Sequence, residues 1–394
     1  MTYFAVADRF TGAGEQTNGR VKPAAVRPIR IGLFLLAIVT LTGCELGYYW
    51  QAAGGQLEIL RKRRPIEEVL ADEGVDQSVK AKLRLVLAVQ EFGVERLSLP
   101  AEGKYLLYAD LGRPNVSWLV VASEEFAIKA VEHCFLIVGC LGYRGYFDKA
   151  DANALAEELA VENFDVRVRP VRAYSTLGWF DDPVLNTFLQ SEDELGVIGT
   201  IIHEQTHRLL FVKGDTAFNE SFAHFVEAQG TGLFLAERGD DGAAPLERYR
   251  AQGADRDRFR AIVKRGTERL NRLYRSELTA EEMRVEKIQL FDRMRRDYQN
   301  EKNSFIIDNY DGWFDQTLNN AHLVSFTFYE SRVAAFRALF VENEEDFSRF
   351  FAAVRTLAEL PQEERRARLD MLEIQDAANT RHSTPATPAP MAQG

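Results

Sequence analysis

The stretch Leu195-Gly-Val-Ile-Gly-Thr-Ile-Ile-His203-Glu204-Gln205-Thr206-His207-Arg-Leu-Leu-Phe211 is apolar, rich in helix formers, and carries two of the six histidines of the chain. Its composition predicts a helix. On a helix, residues four apart share one face. His203 and His207 can therefore offer two imidazoles to one metal ion, with Glu204 beside them as a candidate general base. A pair of satisfied histidines on a buried helix is the bland alternative, and the segment downstream of Phe211 argues against it.

Two histidines do not complete a site. A catalytic zinc normally takes three protein ligands and leaves a fourth position to water. After the turn Lys213-Gly214-Asp215, the segment Phe218-Asn219-Glu220-Ser221-Phe222-Ala223 reads as the start of a second helix, and a fold-back there lets Glu220 face the histidine pair. His224 and Glu227 share the Glu220 face of that helix at i+4 and i+7. Either is an alternative third ligand, or a group that supports the ligands from behind.

The rest of the chain sets the frame. Its 394 residues allow one large domain or two ordinary ones. The 46% hydrophobic and 27% charged content is that of a folded globular protein. A net charge of −11 without a basic, aromatic-laced stripe excludes nucleic acid as the main partner. Lys22, Arg27 and Arg30 precede the apolar run Ile31–Leu41, which is too short to span a bilayer and has the form of a signal sequence. It closes on Leu41-Thr42-Gly43-Cys44, which looks like a bacterial lipobox with Cys44 as the acylated residue. Residues 1–43 are thus expected to be a lipoprotein signal peptide. A lipid tether would then hold the chain on the periplasmic side of a membrane. Glu45 stands where an Asp would favour inner-membrane retention, so the outer membrane is preferred. In an oxidising compartment Cys134 and Cys140 are expected to form a local disulfide; two buried free thiols are the alternative.

Periodicity predicts helices over Tyr48–Lys62, Ile66–Ala71 and Ser78–Phe92, strands within Tyr105–Val121, a helix over Asp151–Glu162, and a half-buried strand over Phe164–Arg172. The segment Tyr174–Phe180, just upstream of the histidine helix, is the candidate edge for an extended peptide. The charged region Glu247–Glu301 reads as two long helices broken near Thr279, an N-cap by residue type. The expected organisation is a single domain over 44–375, with helices and a small sheet (44–190), metal-site helices (191–232) and a charged helical region (233–375). Residues 376–394, rich in Thr, Pro and Ala, read as a disordered tail.

The histidine helix followed by Asn219-Glu220-Ser221-Phe222-Ala223 resembles the gluzincin pattern of zinc aminopeptidases. Closer still is the similarity to a family of bacterial lipoproteins named as predicted aminopeptidases. It is carried by Arg63-Arg64-Pro65-Ile66, Tyr108–Leu111, Cys134–Cys140 with Tyr143–Phe147, Tyr174–Pro183 and Asn319-Asn320-Ala321. The resemblance implies an α+β, helix-rich, zincin-like fold with Zn²⁺ on His203, His207 and Glu220, and a peptide substrate. It also implies an oxyanion donor, for which Tyr329 is the first candidate and His322 and Tyr174 the others. A free N-terminal amine would need an acid, and Asp181, Asp182 and Glu194 are candidates. Rival readings are a zinc endopeptidase or amidase acting on envelope proteins or peptidoglycan, and a non-catalytic envelope lipoprotein with a structural metal.

Overall fold

The computed structural model describes residues 47–101, 106–135, 139–172, 182–189, 193–307, 310–330 and 332–383. The side chains at 325, 327–330 and 379–383 are outside that description. Cys44, Tyr174, Asp181 and the segment 174–180 lie outside the described residues. The chain divides into two compact units, residues 1–50 and Gln51–Gly394. In the first, the described residues 47–50 are helical. The second unit carries all the elements numbered below.

It is an α+β fold dominated by helices. The first helix, α1, occupies residues 51–61 of this unit. The short strand β1 (Arg63–Pro65) leads into α2 (Ile66–Ala71), and Asp76 caps α3 (Gln77–Leu97) by accepting from the Ser78 amide. β1 pairs antiparallel with β2 (Leu107–Ala109), and β2 pairs parallel with β8 (Val184–Leu185). A second sheet has the order β6-β3-β7, from Arg144–Tyr146, Ser117–Ser123 and Asp165–Val171. The predicted strand over 164–172 is thus β7, and it is half-buried along its length. One face of this sheet is covered by α4 (Lys149–Val161). Between β3 and β6 the hairpin β4–β5 (His133–Phe135, Gly139–Leu141) sets Cys134 opposite Cys140, and the two form a disulfide.

Three further blocks complete the unit. α5 (Asn186–Leu189) comes after β8, and then α6 (Glu194–Leu209) and α7 (Thr216–Glu237). Asn186 moors the start of this block: its amide oxygen accepts from Leu111 N and its Nδ2 donates to Arg113 O. α6 and α7 sit in the main core with α3, α12 (Val333–Glu342), α13 (Phe347–Glu359) and α14 (Gln362–Ser383). A cluster of inclined and edge-on phenylalanines, Phe218, Phe222, Phe225, Phe336 and Phe350, fills the contact between α7, α12 and α13. Gly230 lets α7 approach α3 and α6, since a Cβ there would meet Leu97 Cδ1 at 2.6 Å and Ile202 Cδ1 at 3.1 Å.

The charged region does form two long helices, α8 (Asp240–Leu273) and α9 (Ala280–Glu301), and Thr279 and Glu282 form a full capping box at the break. They have their own core of Phe259, Ile262, Val263, Leu270, Phe291, Met294 and Tyr298. Arg269 and Asp297 meet across the pair at 2.5 Å. α14 runs on to Ser383, past residue 376 where a tail was expected. The helix formers of 362–376 carry the ladder through Ala377 and Ala378 before the Thr/Pro composition of residues 384–394 begins; those last residues lie outside the description.

α10 (Asp311–Phe314) leads to α11 (Asn320–Glu330), which joins the parts. Leu323 contributes to the α8–α9 core, and Ala321 and Val324 pack on Val121 of the second sheet. Its first residue, Asn320, is fully buried. Asn320 Nδ2 donates to Glu124 O, Glu125 O and Ala127 O at 3.0–3.3 Å, and its amide donates to Asp165 Oδ2 at 2.7 Å. Replacing Asn320 by Ala strands those carbonyls away from water. The expected cost is about 3 kcal/mol, read from denaturant unfolding. Asn320→Asp, which removes the donors at constant shape, is expected to lose at least as much.

Candidate metal centre

α6 starts at Asp193, whose carboxylate accepts from Gly196 N at 2.9 Å, and most of its side chains are buried. His203 and His207, in its last two turns, face the start of α7, with Glu204 beside them. The link between the two helices is short because Asn219 staples it: Oδ1 accepts from Val212 N and Nδ2 donates to Val212 O, each at 2.8 Å. Asp215 caps α7 through Phe218 N and also receives Arg365 of α14 at 2.9 Å. Glu220 is therefore held on the first turn and a half of α7, opposite the histidines.

The resulting geometry is compact. His203 Nε2 and His207 Nε2 are 3.1 Å apart, and the Glu220 carboxylate oxygens lie 3.4 Å from the first and 3.7 Å from the second. Ligands at the usual distances around a tetrahedral ion stand about 3.3 Å from one another. The three side chains fit a metal ion on that test, and they form one of two groups among the described residues that could hold one. The other group is His203, His224 and Glu227. It differs in how it uses its atoms. Glu227 Oε2 is 3.0 Å from His203 Nδ1 and 2.9 Å from His224 Nδ1, so Glu227 engages the side of His203 turned away from Glu220. With Nδ1–H donated to Glu227, loss of the Nε2 proton would leave the Nε2 lone pair of His203 directed at His207 and Glu220. His224 packs edge-on against His203, with ring centroids 4.7 Å apart.

Electrostatics reflect this packing. Burial works against a charge on His203, yet Glu220 and Glu227 on its two nitrogens outweigh it and hold its pKa well above the usual histidine value. His207 goes the other way, to about 4, through burial and then the charge of His203. Burial tends to raise Glu220, but the hydrogen bond from His203 and the neighbouring imidazoles bring it to about 2. Glu227 is likewise below the ordinary carboxylate range, since His224 and His203 overcome its burial. Glu204 is the exception. Burial pushes it up to about 7, opposed by His203 and reinforced by Glu220 and Asp182. Among the described residues its carboxyl has no hydrogen-bond partner, so it is uncommitted.

A family model described as "Putative aminopeptidase" matches residues 47–369 of the chain. The chain belongs to that family. No curated protein and no solved structure matches it. The matched span of this aminopeptidase family member runs from the first described helix into α14 and includes every residue of the centre.

The remaining candidates lie apart from one another. Position 329 is near the end of α11 that meets α7, where Arg332 N donates to Ser221 Oγ at 3.2 Å; the Tyr329 side chain lies outside the described residues. His322 is at the opposite end of α11, against Asn319 and the second sheet, and is not brought to His203, His207 and Glu220. Glu194 is ion-paired with Arg238 at the start of α6, nine residues or about 13 Å before His203. Asp182 is buried and 4.0 Å from Arg208. Neither acid is placed as an open amine-binding group. Tyr174 and Asp181 lie outside the described residues.

Gly199 belongs to the site although nothing in the metal motif points to it. It stands one turn before His203, and a Cβ there would come within 2.9 Å of Glu227 Oε1. The available signal was its i−4 spacing from His203 on the same face. Gly199→Ala is expected to displace Glu227 and weaken divalent-metal affinity about tenfold by chelator competition, with no ligand altered. A second expectation concerns protons. A raised pKa means that metal-free His203 is protonated at neutral pH, and an ion must displace that proton. Affinity should fall as pH falls, and calorimetry in buffers of different ionisation enthalpy should read about one proton released per ion.

Proposed function

We propose that this chain is a zinc-dependent peptidase, with His203, His207 and Glu220 as the metal ligands and Glu204 as the general base. The observation that carries the reading is the contrast between the carboxylates: Glu220 and Glu227 are tied to imidazoles, whereas Glu204 is next to the ligands and uncommitted. A structural metal site has no use for such a group. Bound zinc supplies a Lewis acid that polarises a scissile carbonyl and acidifies water. Glu204 would take the proton of the attacking water and return one to the leaving amine. Glu227 keeps the His203 ring oriented. Tyr329 is the proposed donor to the developing oxyanion.

The family points to aminopeptidase action, and a free N-terminal amine is the proposed recognition element. Peptides of the cell envelope are the proposed substrates, reached from a lipid tether on Cys44 after removal of residues 1–43. Among the described residues no helix is long and apolar enough to cross a membrane.

Glu204→Gln is expected to keep the metal and lose at least about a hundredfold in kcat/KM, the low end of a general base's contribution. Full activity in that variant would exclude the mechanism. Glu220→Ala is expected to lose the metal as well, read by metal analysis of the purified chain. Peptide pairs with free and acetylated N-termini separate the two modes of action: preference for the free amine supports an aminopeptidase, and indifference an endopeptidase.

A further inference from the structure

Arg167 stands on β7, half-buried and opposite Val121, while Arg169 is opposite Leu119. Residues paired in an antiparallel ladder share a face of the sheet. Val121 packs on Ala321 and Val324, so both arginines rise on the face covered by α11. β7 is hydrogen-bonded only to β3 among the described strands, which places the two cations at the margin between α11 and an open sheet edge.

Among the described residues nothing neutralises Arg167: its guanidinium has no hydrogen bond and no ion pair. Two other half-buried arginines of the fold meet carboxylates. Arg269 reaches Asp297 at 2.5 Å, and Arg332 reaches Asp370 and, at 3.2 Å, Glu373. Its own strand also carries Arg169 and Asp165, and the titratable group it acts on is His322 of α11. Burial, with Arg169 adding to it, pulls the Arg167 guanidinium down to about 10. Burial and then the Arg167 charge hold His322 at about 3, so the imidazole is neutral and gives no added charge. Arg295 faces the same histidine but is committed to Asp292 and to the carbonyls of Phe314 and Gln316. The acid on this strand face, Asp165, is occupied by Lys287 at 2.6 Å and by the Asn320 amide at 2.7 Å. A partly desolvated cation without an acceptor, beside a like charge, is costly to maintain unless an anion completes it.

We infer that Arg167 forms an anion subsite whose ligand is a carboxylate of a peptide held at the α6–α7 centre. The guanidinium fork matches a carboxylate's two oxygens. α11 supplies the scale. Its first residue is pinned to β7, and just beyond its last residue Arg332 is bonded to Ser221, the neighbour of Glu220. Eleven helical residues measure about 16 Å. An extended peptide covers that in about five residues. The source of the carboxylate rests on the peptidase reading; the anion site itself does not.

The test uses the full chain, with Glu204→Gln present so that peptides survive, and compares pentaalanine as free acid, pentaalanine amide and acetate by thermal unfolding. The free acid is expected to raise the midpoint more than the amide does. Adding Arg167→Gln should abolish that difference, and Arg167→Lys should retain part of it. Equal shifts from acid and amide, or a difference that survives Arg167→Gln, would overturn the subsite. An acetate shift matching the free acid's at equal concentration would overturn the peptide as its source. In the loaded enzyme with Glu204 intact, kcat/KM for the free acid is expected to exceed that for the amide about tenfold, the ratio falling near one with Arg167→Gln. Should neither peptide be hydrolysed while the thermal difference persists, the peptidase reading fails and the anion subsite stands.

Discussion

One imidazole held between two carboxylates is the interaction on which the rest of the arrangement depends. His203 faces Glu220 through Nε2 and Glu227 through Nδ1, so its ring can neither rotate nor flip without breaking a charge-assisted contact. Both acids come from α7, while the histidine comes from α6. The clamp exists only while the two helices stay in close register. Gly199 and Gly230 allow that approach, Asn219 shortens the connection, and the phenylalanine cluster behind α7 resists any slide. The chemistry of the site and the packing of the core are thus a single requirement.

Much of this was legible in the chain itself. A run of helix formers with His203 and His207 four apart defines a helix face, and Glu220 on the next helix can meet it only by a fold-back. Thr279, an N-cap by residue type, marked the break between α8 and α9 because capping is local. The half-buried β7 announced itself by alternation. Spacing could not rank Glu220, His224 and Glu227, since residues at i, i+4 and i+7 share a face. Glu220 and Glu227 differ in which nitrogen of His203 each approaches, a matter of ångströms across an interface. The extent of α14 was underestimated because helix propagation depends on what precedes a segment as well as on its own composition.

Other features had no sequence signal strong enough to read. Gly199 is one glycine among 27, and its importance lies in a carboxylate contributed by another helix. Asn320 resembles any polar helix start until the three carbonyls it binds are known. Those carbonyls lie 193 to 196 residues earlier in the chain, as long-range partners of buried polar groups commonly do. Arg167 reads as one basic position of an alternating strand, and only the neighbours across α11 show that it lacks a counter-charge among the described residues.

The α6–α7 hairpin has a consequence for how the centre is assembled. His203, His207, Glu220 and Glu227 lie close in the chain, the last only 24 positions after the first. Bringing them together closes a short loop, so little chain entropy opposes it, and none of the distant strand pairings must form first. An ion held by His203, His207 and Glu220 would act as a cross-link within one helical hairpin. It would fasten two consecutive elements to each other, leaving the later docking of sheets, charged helices and C-terminal helices to hydrophobic burial.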